Sequence, residues 1–327
     1  MKIAIFSAKS YDREYFNRFN QSNDIWFFET SLSESSVHLA TDFEVVCVFV
    51  NDKIDEVVID KLSKLGVRLI ALRCAGYNNV DLNAAKKFKI PVVRVPAYSP
   101  YAVAEHAVAL IMTLNRKTHK AYNRVREGNF SIDKLMGFNV HDKTVGVVGT
   151  GKIGAIFAQI MRGFGCRVIA FDIVKNESLI TQTGVEYLGL DEVVAQSDIL
   201  SLHCPLNDAT RHIINSERLA LMKPHAMLIN TGRGGLIDTP AVIEALEKEK
   251  LGYLGIDVYE QEENLFFHDL SETILHDDVI LKLMSFPNVL ITAHQGFLTD
   301  EALSEIAQIT FQNIKDFKHG CELVNQL

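Results

Sequence analysis

Short apolar runs rich in β-branched residues alternate with helical patterns along almost the whole chain, and this alternation restricts the fold more than any other feature. Lys2-Ile3-Ala4-Ile5-Phe6, Val45-Val46-Cys47-Val48-Phe49-Val50, Arg68-Leu69-Ile70-Ala71-Leu72 and Pro91-Val92-Val93-Arg94-Val95 are each too short for a helix. Helical patterns over Ile59 to Leu65 and Leu82 to Phe88 separate such runs. A second series reads as strands at Thr144–Gly149, Arg167–Asp172, Asp198–Cys204, Ala226–Thr231, Gly252–Val258 and Asn288–Thr292, with a helix from Thr239 to Lys250 between two of them. Strands that alternate with helices pair in parallel, because a parallel neighbour needs a crossover connection. Two series in a chain of 327 residues predict two doubly wound parallel-sheet α/β domains.

Between the two series lies a long helix pattern, with Ser99 as its N-cap, Pro100 in the first helical position and apolar residues from Ala102 through Leu114. A polar arm from Asn115 to His141 follows. The last helix pattern starts at Thr299-Asp300 and runs to about Phe317, with Gly320 as its stop signal. Pattern alone does not assign that helix to either domain.

Gly149-Thr150-Gly151-Lys152-Ile153-Gly154 fits G-x-G-x-x-G directly after a strand pattern and at the start of a helix pattern. In that context the first glycine makes the turn, the second lets a pyrophosphate approach the backbone, and the third lets helix and strand pack closely. The helix N-terminus then faces the pyrophosphate with unpaired N–H groups. The next strand ends in Asp172, close to the roughly 20-residue spacing at which an acidic side chain binds the adenosine ribose hydroxyls. A carboxylate there repels a 2′-phosphate, so NAD is expected rather than NADP.

Three later strand ends carry reactive side chains, and open α/β sheets bind their ligands at such ends. Asn230-Thr231-Gly232-Arg233-Gly234 offers a guanidinium, which grips a carboxylate with two parallel hydrogen bonds. Asp257-Val258-Tyr259-Glu260-Gln261-Glu262-Glu263 offers several carboxylates, and spacing alone does not choose among them. Asn288 to Gln295 carries His294 at its strand end, a side chain able to donate a proton near neutral pH. Hydride transfer to a keto carbon leaves negative charge on oxygen, which calls for an electrophile, a proton donor and a partner for that donor. Arg, carboxylate and His downstream of a dinucleotide loop supply one candidate for each role.

Composition excludes several other classes. A net charge of −8 argues against a nucleic-acid binder, which needs a basic face. The short apolar run at the N-terminus is not followed by the longer hydrophobic region and cleavage site of a signal peptide, and no uncharged stretch is long enough to span a bilayer, so no membrane association is expected. The five cysteines are scattered without a CxxC, which suits a reducing, cytoplasmic compartment and predicts no metal site.

The chain resembles the D-isomer-specific 2-hydroxyacid dehydrogenases over essentially its whole length. The residues that carry the resemblance are the glycine loop with Asp172, Asp198-Ile199-Leu200-Ser201-Leu202-His203-Cys204-Pro205-Leu206, the Arg233-Gly234 segment ending in Asp238, the Asp257 to Glu262 loop, and His294. Within the family, Arg73-Cys74-Ala75-Gly76-Tyr77-Asn78-Asn79-Val80-Asp81, Pro96-Ala97-Tyr98-Ser99-Pro100, Leu265-Phe266-Phe267 and His294-Gln295 are most similar to the bacterial fermentative D-lactate dehydrogenases. The His294-Gln295-Gly296 sequence also favours that branch over the phosphoglycerate and formate dehydrogenases, whose members carry other residues after the histidine.

The resemblance implies a Rossmann cofactor domain (99–297) inserted into a discontinuous flavodoxin-like substrate domain (1–98 with 298–327). It implies that Arg233 binds the substrate carboxylate and polarises the keto oxygen, that Glu262 rather than Glu260 or Glu263 is the acid, and that His294 is the proton donor. Ala75, Gly76, Tyr77 and Asn78 match the backbone that holds the substrate carboxylate, and Tyr98 an aromatic residue lining the pocket. Gly149, Gly151, Lys152, Ile153, Gly154, Asp172, Cys204, Pro205, Thr210, Thr231, Gly232, Arg233 and Asp257 match NAD contacts. The implied reaction is reversible hydride transfer between NADH and pyruvate, giving D-lactate, and the long helix with its polar arm is similar to the family's dimerisation element, so a homodimer or higher homo-oligomer is expected.

Two other readings share these motifs. One is a D-2-hydroxyacid dehydrogenase for a larger 2-keto acid, which needs room where Tyr98 and Phe297 fall. The other is an NAD-sensing binding protein like the corepressors of this fold family, which retain the Arg, Glu and His but add a tail. This chain ends soon after its last helix pattern, so the enzyme is expected.

Overall fold

A computed structural model describes residues 1–262 and 265–327. It divides into two compact units, Met1–Ser99 with Phe297–Leu327 and Pro100–Gly296, against the 98/99 and 297/298 boundaries expected from sequence.

In the first unit the strands are β1 (Lys2–Ile5), β2 (Asp24–Phe27), β3 (Val45–Val48), β4 (Leu69–Leu72) and β5 (Val92–Val93), and the helices are α1 (Ser10–Phe19), α2 (Glu56–Lys64), α3 (Leu82–Lys87) and the last helix, α12 (Asp300–His319). The sheet order is β2-β1-β3-β4-β5, parallel throughout and flavodoxin-like. Strands β3 and β4 are buried along their whole length, as helices covering both faces require. Helix α12 belongs to this unit, with Ala307 and Ile314 in the core beside Ile3, Ile5 and Phe16. Thr299 caps it and Gly320 closes it at φ +67.

The second unit opens with α4 (Pro100–Arg116) and α5 (Thr118–Arg126), then continues through β6 (Thr144–Val148), α6 (Lys152–Gly163), β7 (Arg167–Phe171), α7 (Glu177–Thr183), β8 (Glu186–Tyr187), α8 (Leu190–Gln196), β9 (Ile199–Leu202), α9 (Ser216–Leu221), β10 (Met227–Asn230), α10 (Thr239–Glu247), β11 (Tyr253–Ile256), α11 (Asp278–Ser285) and β12 (Val289–Ile291). The polar arm is therefore not continuous loop: Lys117, at φ +51, separates α4 from a second helix. The sheet order is β12-β11-β10-β9-β6-β7-β8, all parallel, the Rossmann order with one further strand.

Side-chain alternation divides this sheet between two cores. Val145, Val147, Ile199, Met227 and Ile229 pack with α4 and α6, whereas Val148, Leu200, Leu202, Leu228 and Leu254 pack with the helices of the other face. Leu110, Ile111 and Leu114 of α4 are buried in the first of these, worth about 1.5–3 kcal/mol each. The strand order reverses between β6 and β9, and the crevice beyond the carboxyl ends there is where such a sheet binds its ligand.

Candidate active site

The glycine loop leaves β6 at that reversal. Gly149 has φ +93, and a Cβ on it would stand 2.5 Å from the backbone nitrogen of Cys204, so both conformation and space demand glycine. A Cβ on Gly154 would meet the Gly149 carbonyl oxygen at 1.9 Å. Gly151, by contrast, faces open space, and it precedes α6 without a side-chain cap. Two glycines are thus needed by the fold, and the third leaves room for a ligand on an uncapped helix N-terminus. Lys152 and Ile153 begin that helix.

The remaining cofactor candidates of the second unit follow neighbouring strands. Asp172 follows β7, and its Oδ2 accepts from the Thr150 amide at 2.6 Å and the Thr150 hydroxyl at 3.0 Å, so the acidic residue is tied to the glycine loop. Cys204 and Pro205 follow β9; burial pushes the Cys204 thiol up to about 11, which keeps it protonated at neutral pH. Thr210 donates to the Pro205 carbonyl at 2.6 Å and closes that loop. Thr231 and Gly232 follow β10, and the Thr231 hydroxyl is buried with no partner among the described residues. A buried hydroxyl without a partner is costly unless a ligand supplies one. The open face at Gly151, the uncapped helix and the orphaned hydroxyl all fit a dinucleotide.

Arg233, Glu262 and His294 lie beyond the carboxyl ends of the adjacent strands β10, β11 and β12. Arg233 is extended, and its Nη1 donates to the Gly232 carbonyl at 2.7 Å. Gly234 allows this loop to lie against the next one, since a Cβ there would fall 2.2 Å from the Tyr259 carbonyl carbon. Glu262 receives the Tyr259 amide on Oε2 at 3.0 Å, and its Oε1 lies 2.8 Å from His294 Nδ1. Glu260 faces elsewhere: its Oε1 lies 2.7 Å from His212 Nε2 and its Oε2 accepts from the Thr239 hydroxyl at 3.0 Å. Glu263 is outside the described residues.

His294 has φ +53, the left-handed region that costs a non-glycine residue about 1–3 kcal/mol. The surrounding loop holds it there. The His294 amide donates to the Asp257 carbonyl at 2.8 Å, and Gln295 and Gly296 donate to the Asp257 carboxylate at 2.9 and 2.8 Å. Asp257 is buried, which pushes its carboxyl up, yet hydrogen bonds from His106, Thr292 and Gln295 outweigh burial and hold it below the ordinary carboxylate range. Phe267 packs on the His294 ring at 5.8 Å between centroids.

In the first unit, Ala75, Gly76, Tyr77 and Asn78 form the loop after β4. Arg94 fastens it by donating to the Ala75 carbonyl at 2.8 Å and stacking on the Tyr77 ring at 5.1 Å. Tyr98 packs edge-on against Phe297, which also contacts Phe49 and Tyr11.

Sequence reasoning gave no role to His106, Thr292 or His203. His106 is one polar residue on an apolar helix, and Thr292 reads as the last residue of a strand. His203 stacks on Phe157 at 4.8 Å, beneath Gly154, and burial pushes its pKa down.

A sequence profile of the D-isomer specific 2-hydroxyacid dehydrogenase NAD binding domain matches residues 108–296. A 2-hydroxyacid dehydrogenase homologue of Haemophilus influenzae is 52% identical over 98% of this chain and 98% of its own. The D-lactate dehydrogenase of Escherichia coli is 48% identical over the full length of both chains. Among solved structures, a pyruvate reductase of Chlamydomonas reinhardtii is 45% identical and superposes with a TM-score of 0.94, covering 99% of this chain and 98% of its own. The chain therefore belongs to the D-isomer specific 2-hydroxyacid dehydrogenases, NAD-dependent oxidoreductases whose cofactor domain is the second unit described above.

Proposed function

We propose that this enzyme is a D-lactate dehydrogenase that reduces pyruvate with NADH and runs in reverse on D-lactate. The observation that carries the reading is the pairing of His294 Nδ1 with Glu262 Oε1 at 2.8 Å, in a chain 48% identical to a D-lactate dehydrogenase along its whole length.

NADH, when bound, supplies the hydride that goes to the keto carbon. Gly149, Gly151 and Gly154, with Lys152 and Ile153 at the start of α6, would hold its pyrophosphate. Asp172 would hold the ribose, and the loops with Cys204, Pro205, Thr210, Thr231, Gly232 and Asp257 would hold the rest. Arg233 grips the substrate carboxylate and draws charge toward the keto oxygen. Its fork keeps both substrate oxygens oriented, which a lysine cannot do. Glu262 accepts from Nδ1–H of His294 and so fixes the ring's orientation. Nε2 then delivers the proton to the alkoxide as the carbonyl becomes an alcohol. In the first unit, the loop Ala75-Gly76-Tyr77-Asn78 offers backbone N–H groups to a carboxylate, and Tyr98, packed on Phe297, limits the substrate side chain.

The same reading extends to a cytoplasmic, fermentative enzyme, in keeping with five cysteines that form no disulfide. It also extends to a homodimer or higher homo-oligomer, supported by the exposed apolar side chains of Phe130, Ile132 and Met136 beside α5. Chiral analysis of the product tests the central assignment. Pyruvate and NADH should give D-lactate; L-lactate, or no lactate, would refute it.

A further inference from the structure

His106 of α4 takes no part in the steps above, yet it is packed beneath the turn that carries His294. Its Nε2 lies 3.0 Å from Thr292 Oγ1 and 3.3 Å from Asp257 Oδ1. The Thr292 hydroxyl has one hydrogen and donates it to Asp257 Oδ1 at 2.5 Å. It can therefore only accept from His106, which makes Nε2 of His106 the protonated nitrogen. Asp257 Oδ1 also receives the Gln295 amide and Oδ2 the Gly296 amide, while the Asp257 carbonyl receives the His294 amide. One carboxylate and its carbonyl thus hold three consecutive amides of the turn, and His106 and Thr292 hold that carboxylate from behind. There is little slack, because a Cβ on Gly296 would stand 3.0 Å from Asp257 Oδ2 and 3.4 Å from His106 Cδ2.

We infer that His106 is a positioning residue for the reduction: through Thr292 and Asp257 it locks the left-handed turn at His294 and so aims the imidazole that Glu262 orients. The inference rests on the proposal that His294 gives the proton. A histidine that only filled space would be replaceable by an apolar side chain. One that acts through its Nε2–H should be replaceable by glutamine, whose amide brings an N–H to a similar reach, and not by leucine.

The test compares His106→Leu, His106→Gln and Thr292→Val with the parent, by turnover of the best 2-keto acid, by melting temperature, and by the proton NMR signal of His294 Nδ1–H in the bond to Glu262. His106→Leu should lower kcat about 10- to 100-fold with KM changed less than about threefold, since a proton donor displaced by a fraction of an ångström loses that much. His106→Gln should recover most of the loss at a similar melting temperature, and Thr292→Val should be impaired in the same sense. The Nδ1–H signal should persist in His106→Gln and be shifted or lost in His106→Leu. Parental kcat in His106→Leu, or equal impairment in His106→Gln, would overturn the inference. Should His106→Leu fail to fold, parental kcat in Thr292→Val would overturn it. Should the parent reduce no 2-keto acid, the functional proposal fails, and the NMR signal still decides the role of His106.

Discussion

His294 Nδ1 and Glu262 Oε1 lie 2.8 Å apart, whereas Glu260, two residues earlier in the same loop, is paired with His212 and Thr239. The two carboxylates therefore respond differently to the same substitution. Glu262→Gln should lower kcat for keto-acid reduction about 10²-fold, the scale of a misdirected general acid, with NADH affinity unchanged. Glu260→Gln should leave kcat within about threefold and act mainly on stability, because a hydrogen-bonded, half-buried carboxylate is lost. Steady-state kinetics and NADH titration of both variants check this, and a larger kcat loss in Glu260→Gln would reverse the assignment.

Arg233→Lys should fold normally, since among the described residues the guanidinium bonds only the neighbouring Gly232 carbonyl. Its kcat/KM should nevertheless fall about 10²- to 10³-fold, because the charge remains and the planar fork is gone. Near-parental kcat/KM would remove Arg233 from substrate binding.

The glycine loop yields a contrast between two alanines. Gly151→Ala puts its methyl into open space, so the melting temperature should hold while the Kd for NADH rises about tenfold or more, about 1.4 kcal/mol. Gly154→Ala forces a methyl onto the Gly149 carbonyl oxygen and should cost about 1–3 kcal/mol of stability even without cofactor. Thermal melts and fluorescence titration separate the two. Unchanged NADH affinity in Gly151→Ala would mean that the pyrophosphate lies elsewhere.

His203 sets a pH dependence. Burial lowers its pKa from the ordinary 6.5, so the native state resists a proton that the unfolded chain accepts. Stability from this group is therefore complete above about pH 6.5 and declines as pH falls toward the lowered native value. Denaturant midpoints measured from pH 7 to pH 4.5 should fall more steeply in the parent than in His203→Asn. Parallel curves would show that His203 accepts its proton in the folded state.

The parts of the molecule legible in sequence are those where backbone geometry or periodicity is strict. Gly149 and Gly154 admit no side chain, the central strands β3 and β4 are continuous apolar runs, and β6, β9 and β10 are nearly so because both faces are covered. Edge strands lack that signal: β2 alternates between exposed and partly buried residues, and β8 has two residues. Helix α1 buries only Asp12 and Phe16, too little to write an apolar stripe. At the site, Arg233 and His294 are visible because each follows a readable strand, whereas Glu262 is one of several carboxylates after β11 and only the family resemblance selects it. His106 was hidden because its partners are tertiary: Asp257 and Thr292 lie far along the chain and meet it only after α4 docks on the sheet.

The measurement that bears most directly on the functional assignment is NADH consumption with a panel of 2-keto acids at matched concentrations, from pyruvate through 2-ketoisocaproate to phenylpyruvate. Tyr98 and Phe297 are packed edge-on in the first unit, and on the proposed function they would restrict the room for a substrate side chain. Pyruvate should have the highest kcat/KM of the panel, with NADH strongly preferred over NADPH because Asp172 is the acid after β7. A higher kcat/KM for 2-ketoisocaproate or phenylpyruvate would contradict the D-lactate dehydrogenase assignment while leaving the family intact.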